Sequence, residues 1–150
     1  MSNHSEGLDI TGKLVVKKNG EVVREIPNVV VNAGKGYVAD RMKNSTTVMN
    51  AMAVGTSDAS SSDATKTALV GTELGRVSSS NFTTTVSTSA RTVTYQGTFG
   101  TGTGTGSIKE AGIFNSTTAS SGTMLCRTTF PVVTKGASDT LTIDWVITIS

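Results

Sequence analysis

The chain has 150 residues, 36% hydrophobic and only 16% charged, with a net charge of +2; this is one domain's length, with fewer charges than the roughly 25% of an average soluble domain. Residues 1–43 hold seven Lys/Arg against five Asp/Glu and residues 44–150 hold six of each, so no stretch offers the cationic field that binds nucleic acid by neutralising phosphates. Cys126 is the single cysteine, which excludes an internal disulfide.

The opening "MSNHSEGLDITGK" lacks a basic region followed by an apolar one, so no signal peptide is expected. No apolar run approaches the ~20 residues that span a bilayer. The expected product is soluble, made in the cytoplasm, and without a membrane partner. Gly and Thr are abundant while Pro occurs twice. Branched Thr packs well on a pleated surface, so the bias favours strands.

The first clear element is a hairpin. Leu14–Lys18 and Glu21–Ile26 are joined by Asn19-Gly20, a pair that tolerates the positive φ angles of a type I′ turn. Its alternation of polar and apolar residues suits either an edge hairpin or an extended arm that seeks a partner. The arm reading makes Leu14, Val16, Asn19, Gly20, Val22 and Ile26 the candidate contact residues, and it divides the chain into an arm at 1–32 and a body at 33–150. Pro27 interrupts the ladder, and Val29–Val31 begins a short strand or a crossing segment.

"NAGKGYVADRMK" reads as a short helix over 34–43, with Asn32 as N-cap and Tyr37, Val38, Arg41 and Met42 as one buried stripe. Val48–Val54 reads as a buried strand. "GTSDASSSDATKT" is a polar loop, and "ALVGTEL" adds one helical turn. Val77–Val86 and Thr92–Phe99 read as two strands joined near Ser89-Ala90, with Val93, Tyr95 and Phe99 on one face of the second.

Ile108–Phe114 and Thr123–Phe130 read as a further hairpin across the polar turn "NSTTASSG". The last run alternates without a fault: Leu141, Ile143, Trp145, Ile147 and Ile149 face one way, and Thr142, Asp144, Val146 and Thr148 the other. The expected core is Val93, Tyr95, Phe99, Phe114, Phe130, Leu141, Ile143, Trp145 and Ile147. Seven or more short strands and no βαβ rhythm define a mainly β fold, an antiparallel β-sandwich or jelly roll with one short helix and an N-terminal β-hairpin arm.

Sites of chemistry are scarce. "TFGTGTGTGSIKEAGIF" carries alternate glycines, but a dinucleotide fingerprint starting at Gly102 needs Gly where Ser107 stands. A P-loop fails too, because Lys109 follows Ile108, and strand rather than helix comes next. The stretch is a flexible joint between strands. His4 is the only histidine and lies near the terminus, so no base stands ready for a Ser or Cys nucleophile. One Cys and one His cannot build a zinc site. Cys126 reads as a small buried hydrophobe. Asp58 with Asp63, and Asp139 with Asp144, lack calcium-loop spacing and read as turn residues. No catalytic, cofactor or metal residue is assigned.

Four motifs occur in order: Glu110–Asn115 "EAGIFN", Gly122–Arg127 "GTMLCR", Phe130–Lys135 "FPVVTK" and Leu141–Trp145 "LTIDW". Upstream stand "IPNVVVNAGKGYVADRM" and "MAVGTSDASSSDATKTALVGTELGR". Over roughly residues 8–150 this order resembles a family of small tailed-bacteriophage virion proteins. The resemblance implies a structural protein without catalytic residues, with Gly112 and Gly122 at strand bends, Pro131 at an edge or bulge, and Trp145 in the core. It also implies placement in the virion, as a capsid decoration (cement) protein on the major capsid protein or another virion protein. The alternative is a tail fibre, collar or baseplate component that contacts the host surface. Symmetry habit in such proteins makes a homotrimer the expected assembly, with the N-terminal hairpin reaching onto the shell.

Overall fold

The computed structural model describes residues 7–150; His4 lies outside them. Nine strands form the fold: β1 (Ile10–Lys18), β2 (Glu21–Val30), β3 (Ala51–Gly55), β4 (Glu73–Ser78), β5 (Phe82–Ser87), β6 (Thr92–Phe99), β7 (Gly106–Phe114), β8 (Met124–Lys135) and β9 (Leu141–Ile149). One helix, α1 (Asn32–Arg41), follows β2, and a single 3-10 turn, Ser79–Asn81, separates β4 from β5. All pairings are antiparallel, in the order β4-β3-β7-β8-β2-β1-β9-β6-β5.

This one sheet bends into two layers because β2 changes partner. Its residues up to Asn28 pair with β1, whereas Val29 and Val30 pair with Arg127 and Cys126 of β8. The change follows Pro27, which lacks the N–H that a continuing ladder would need. The layers β5-β6-β9-β1-β2 and β2-β8-β7-β3-β4 then face one another around a common core. The sheet is nearly closed: Gly97 of β6 lies against Met52 of β3 and Val77 of β4. The architecture is an antiparallel β-sandwich.

The N-terminal hairpin is present, with Asn19 (φ 50°) and Gly20 (φ 87°) in its turn. It is built into the sheet, since β1 pairs with β9 from Ile10↔Ile149 to Lys18↔Leu141. Leu14 and Val16 are fully buried in the core that residues 33–150 complete. Its tip is fastened as well: Asn19 donates through Nδ2 to Asp139 (2.9 Å), and the Thr140 N–H donates to Asn19 Oδ1 (2.9 Å).

The last strand anchors the interior as its alternation requires. Leu141, Ile143, Trp145 and Ile147 are buried together with Tyr95, Phe99 and Phe130, and Val93 packs half-buried against them. Burial of each aliphatic contributes about 1.5–3 kcal/mol. Phe114 is buried elsewhere, in a second cluster with Val31, Ala53 and Met124 on the outer side of β3-β7-β8. That cluster explains why every residue of β3 is buried, for this strand is covered on both faces.

Several local readings are corrected. The helix starts two residues earlier, its N-cap is Val31, and no side chain caps it; the Asn32 N–H instead donates to the Ala64 carbonyl (2.7 Å). Tyr37 and Val38 pack on the core, but Arg41 and Met42 are exposed, with Arg41 donating to the Thr46 carbonyl (2.7 Å). "ALVGTEL" forms an irregular loop leading into β4, and Val48 lies exposed ahead of β3. Val77–Val86 is two strands, broken at Ser79 (φ 55°) where the chain crosses between layers. β8 runs on through Pro131, which falls in the register break between Thr129↔Glu110 and Val133↔Ile108.

Two glycines of α1 have opposite surroundings. A Cβ on Gly34 would stand 2.0 Å from the Leu125 carbonyl oxygen, whereas one on Gly36 would meet nothing within 4 Å. Gly36→Ala is therefore expected to stabilise the fold by about 0.4–1 kcal/mol. Gly34→Ala is expected to lower the chemical-denaturation midpoint by pushing the helix off β8. Urea unfolding of both variants measures the difference.

Candidate functional site

The charged residues that the fold buries serve to hold loops. In β7 the alternation slips at Lys109, so Ile108 faces the core while Glu110 faces outward with Gly112 and Phe114. The loop 56–72 crosses that outer surface, leaving Glu110 at 0% exposure. Its carboxylate accepts three hydrogen bonds, from the Val70 N–H (3.0 Å), the Gly71 N–H (2.7 Å) and Arg127 Nε (2.8 Å), and Arg127 Nη2 stands 2.7 Å away in the same ion pair. The Arg127 guanidinium donates onward to the carbonyls of Ser60 (3.1 Å) and Ala59 (2.9 Å). One ion pair thus pins both arms of the loop. Gly55, paired with Glu110 across the ladder, leaves the room, because a Cβ there would sit 2.5 Å from Glu110 Oε1.

A second pair does the same for the turn 116–122. Arg76 donates to Glu73 (2.8 Å) and to the carbonyls of Ser116 (2.8 Å) and Ser121 (3.0 Å), while its guanidinium lies 4.2 Å over the Phe114 ring. A cation over an aromatic face adds about 2 kcal/mol where water is excluded.

The glycine-rich stretch is not a flexible joint. It packs across one end of the sandwich, with Gly102 N–H bonded to Ala137 (2.9 Å) and the buried Lys135 donating to the Gly100 carbonyl (2.8 Å). Gly104 seats against Phe99 and Val54, and Gly75 approaches it so closely that a Cβ would lie 2.7 Å from its nitrogen. Alternate glycines here let backbone meet backbone; no helix follows to receive a phosphate.

The carboxylates singled out in the sequence form no common site: Asp58 and Asp63 lie in the 56–72 loop, Asp139 in the turn before β9, and Asp144 within β9. Asp63 accepts from Thr65, Asp139 from the Gly136 N–H and Asn19, and Asp144 from Gln96 (2.7 Å) with Lys17 at 3.3 Å. Hydrogen bonds from Thr65 hold the Asp63 carboxyl below the usual range, and bonds from Thr46 and Asn44 do so for Asp40. Cys126 is buried, and burial pushes its thiol well up. Among the described residues no three His, Cys, Asp or Glu side chains gather to hold a metal ion, and no helix is long and apolar enough to cross a membrane.

Of the six candidate contact residues, Leu14 and Val16 are sealed in the core and Asn19 and Gly20 form the fastened turn. Val22 is 56% exposed and Ile26 is half-buried. Ile26 packs against the core, so of the four apolar candidates only Val22 presents its side chain to solvent. Sequence reasoning missed a groove of about 370 Å³ between α1 and the β5–β6 hairpin, lined by Tyr37, Val38, Val48, Met49, Val86 and Val93 among others. Val48 and Val86, exposed at this groove, read in the sequence as ordinary strand residues.

Comparison with protein families, with curated proteins and with solved structures returns no match.

The Asp139 carboxyl is held low chiefly by the Asn19 amide, then by the Gly136 N–H and by Lys18. A carboxyl whose folded pKa is depressed adds stability that is full above its ordinary value and is lost as pH falls through the folded one. Asn19→Ala is expected to move the Asp139 pKa up toward the ordinary carboxylate range and to flatten the acid limb of the stability curve. Carboxyl-carbon NMR titration and melts below pH 5 check both.

Proposed function

We propose that this protein is a structural component of a tailed-bacteriophage virion, docked as an oligomer on the outside of the head shell. The observation that carries the reading is the convergence of three sequence motifs. Glu110 from "EAGIFN", Arg127 from "GTMLCR" and the loop of "GTSDASSSDATKTALVG" meet in one buried cluster. The resemblance to the virion family rests on the order of these motifs, and their meeting in space supports reading that order as one architectural feature.

Two further features suit the role. The buried charges are spent on holding loops rigid, which favours a surface that docks without ordering cost. The outward side of β6 and β9 presents Thr94, Gln96, Thr98, Thr142, Asp144 and Thr148, of which the short Thr side chains lose little rotamer freedom when covered. A protein that binds only the assembled shell stabilises that shell by mass action, which is the cementing mechanism.

Immunogold electron microscopy on intact virions that carry this protein tests the placement. Gold spread over the heads is the expected result. Gold confined to the tail would transfer the protein to the fibre, collar or baseplate reading, and unlabelled particles would overturn the virion role.

A further inference from the structure

We propose that β5 is a docking edge for a second copy of this chain, which adds its own β5 antiparallel to form a twofold pair. β5 ends the sheet, and among the described residues no backbone hydrogen bond reaches it from its free side. Exposed edges ordinarily carry a charge, a proline or a bulge that keeps other strands away. "FTTTVS" has none of these, and its pairing with β6 runs unbroken from Phe82↔Gly97 to Ser87↔Thr92. The other edge is closed. The glycine-rich loop lies against Gly75 of β4, and the 116–122 turn is bound to Arg76.

A second copy of β5 suits this edge. Thr83 and Thr85 lie on the polar face beside Gln96 and Thr94, while Phe82, Thr84 and Val86 lie on the face that carries the core and the groove. A twofold antiparallel pairing centred on Thr84 sets Thr84 against Thr84, Thr83 against Thr85 and Phe82 against Val86. Polar residues then continue the polar face, and apolar residues continue the apolar one. Val86, 62% exposed, would be covered, along with the mouth of the adjoining groove. No charged residue in the strand opposes the approach. The pair is twofold, in place of the threefold association expected from the sequence, and it does not depend on where in the virion the protein sits.

Sedimentation velocity of the full chain at micromolar concentration should give a dimer. Thr84→Lys, which places two ammonium groups directly opposite each other, should sediment as a folded monomer with an unchanged circular-dichroism spectrum, about half the mass. Thr84→Cys tests the register: opposed residues of an antiparallel pair have Cα atoms about 4.5–5.5 Å apart, within disulfide reach. On air oxidation it should form a covalent dimer, whereas Thr83→Cys, two residues out of register with itself, should not. Cys126 is buried and does not compete. A monomeric wild-type chain, an oligomer that survives Thr84→Lys, or equal cross-linking of the two cysteine variants would overturn the proposal.

Discussion

The Glu110–Arg127 pair is the constraint around which one whole side of the molecule is arranged. Removing two charges from water costs several kcal/mol per ion, and attraction between them offsets this only when their remaining lone pairs and protons are also satisfied. Here Glu110 accepts two backbone N–H groups besides the guanidinium, and Arg127 donates to loop carbonyls. The partners are therefore loop backbone, and the pair satisfies polar groups that the loop would otherwise bury without bonds. The ion pair and the loop each make burial of the other affordable.

From that pairing follows the covered outer face of β3, β7 and β8. With the loop fixed, Leu69 packs on the cluster of Val31, Ala53, Phe114 and Met124. The same loop bonds the first N–H of α1 through Ala64, so the helix is positioned by loop backbone where no capping side chain exists. α1 in turn closes one end of the sandwich against Leu125, opposite the glycine-rich loop. The layer β5-β6-β9-β1-β2 lacks such cover and keeps a polar outer face.

Elements governed by local chemistry were legible in the sequence. Asn19-Gly20 announces its turn because only certain residues tolerate its φ angles, and the Leu141–Ile149 strand announces itself by a period of two. The core residues of β6 and β9 followed from the same alternation, whereas Phe114 is buried in the outer cluster. What escaped the sequence depends on long-range geometry. The slip at Lys109 cannot be seen in "GSIKEAGIF", where strict alternation would place Glu110 on the same face as Ile108. Nor does "VSSSNFTTTV" reveal that Ser79 breaks it into strands belonging to different layers. The partner change in β2 had Pro27 as a cue, but the hairpin's position inside the sheet required β9, more than a hundred residues away.

The central claim is that the buried pair holds the 56–72 loop as firmly as the core. Native-state hydrogen exchange of the Val70 and Gly71 amides tests it most directly, since both donate to Glu110 and belong to no strand. If the pair is the anchor, these two amides exchange only through the global unfolding that exposes Trp145 and its neighbours in β9. Exchange at the rate of ordinary exposed loop amides would contradict the account.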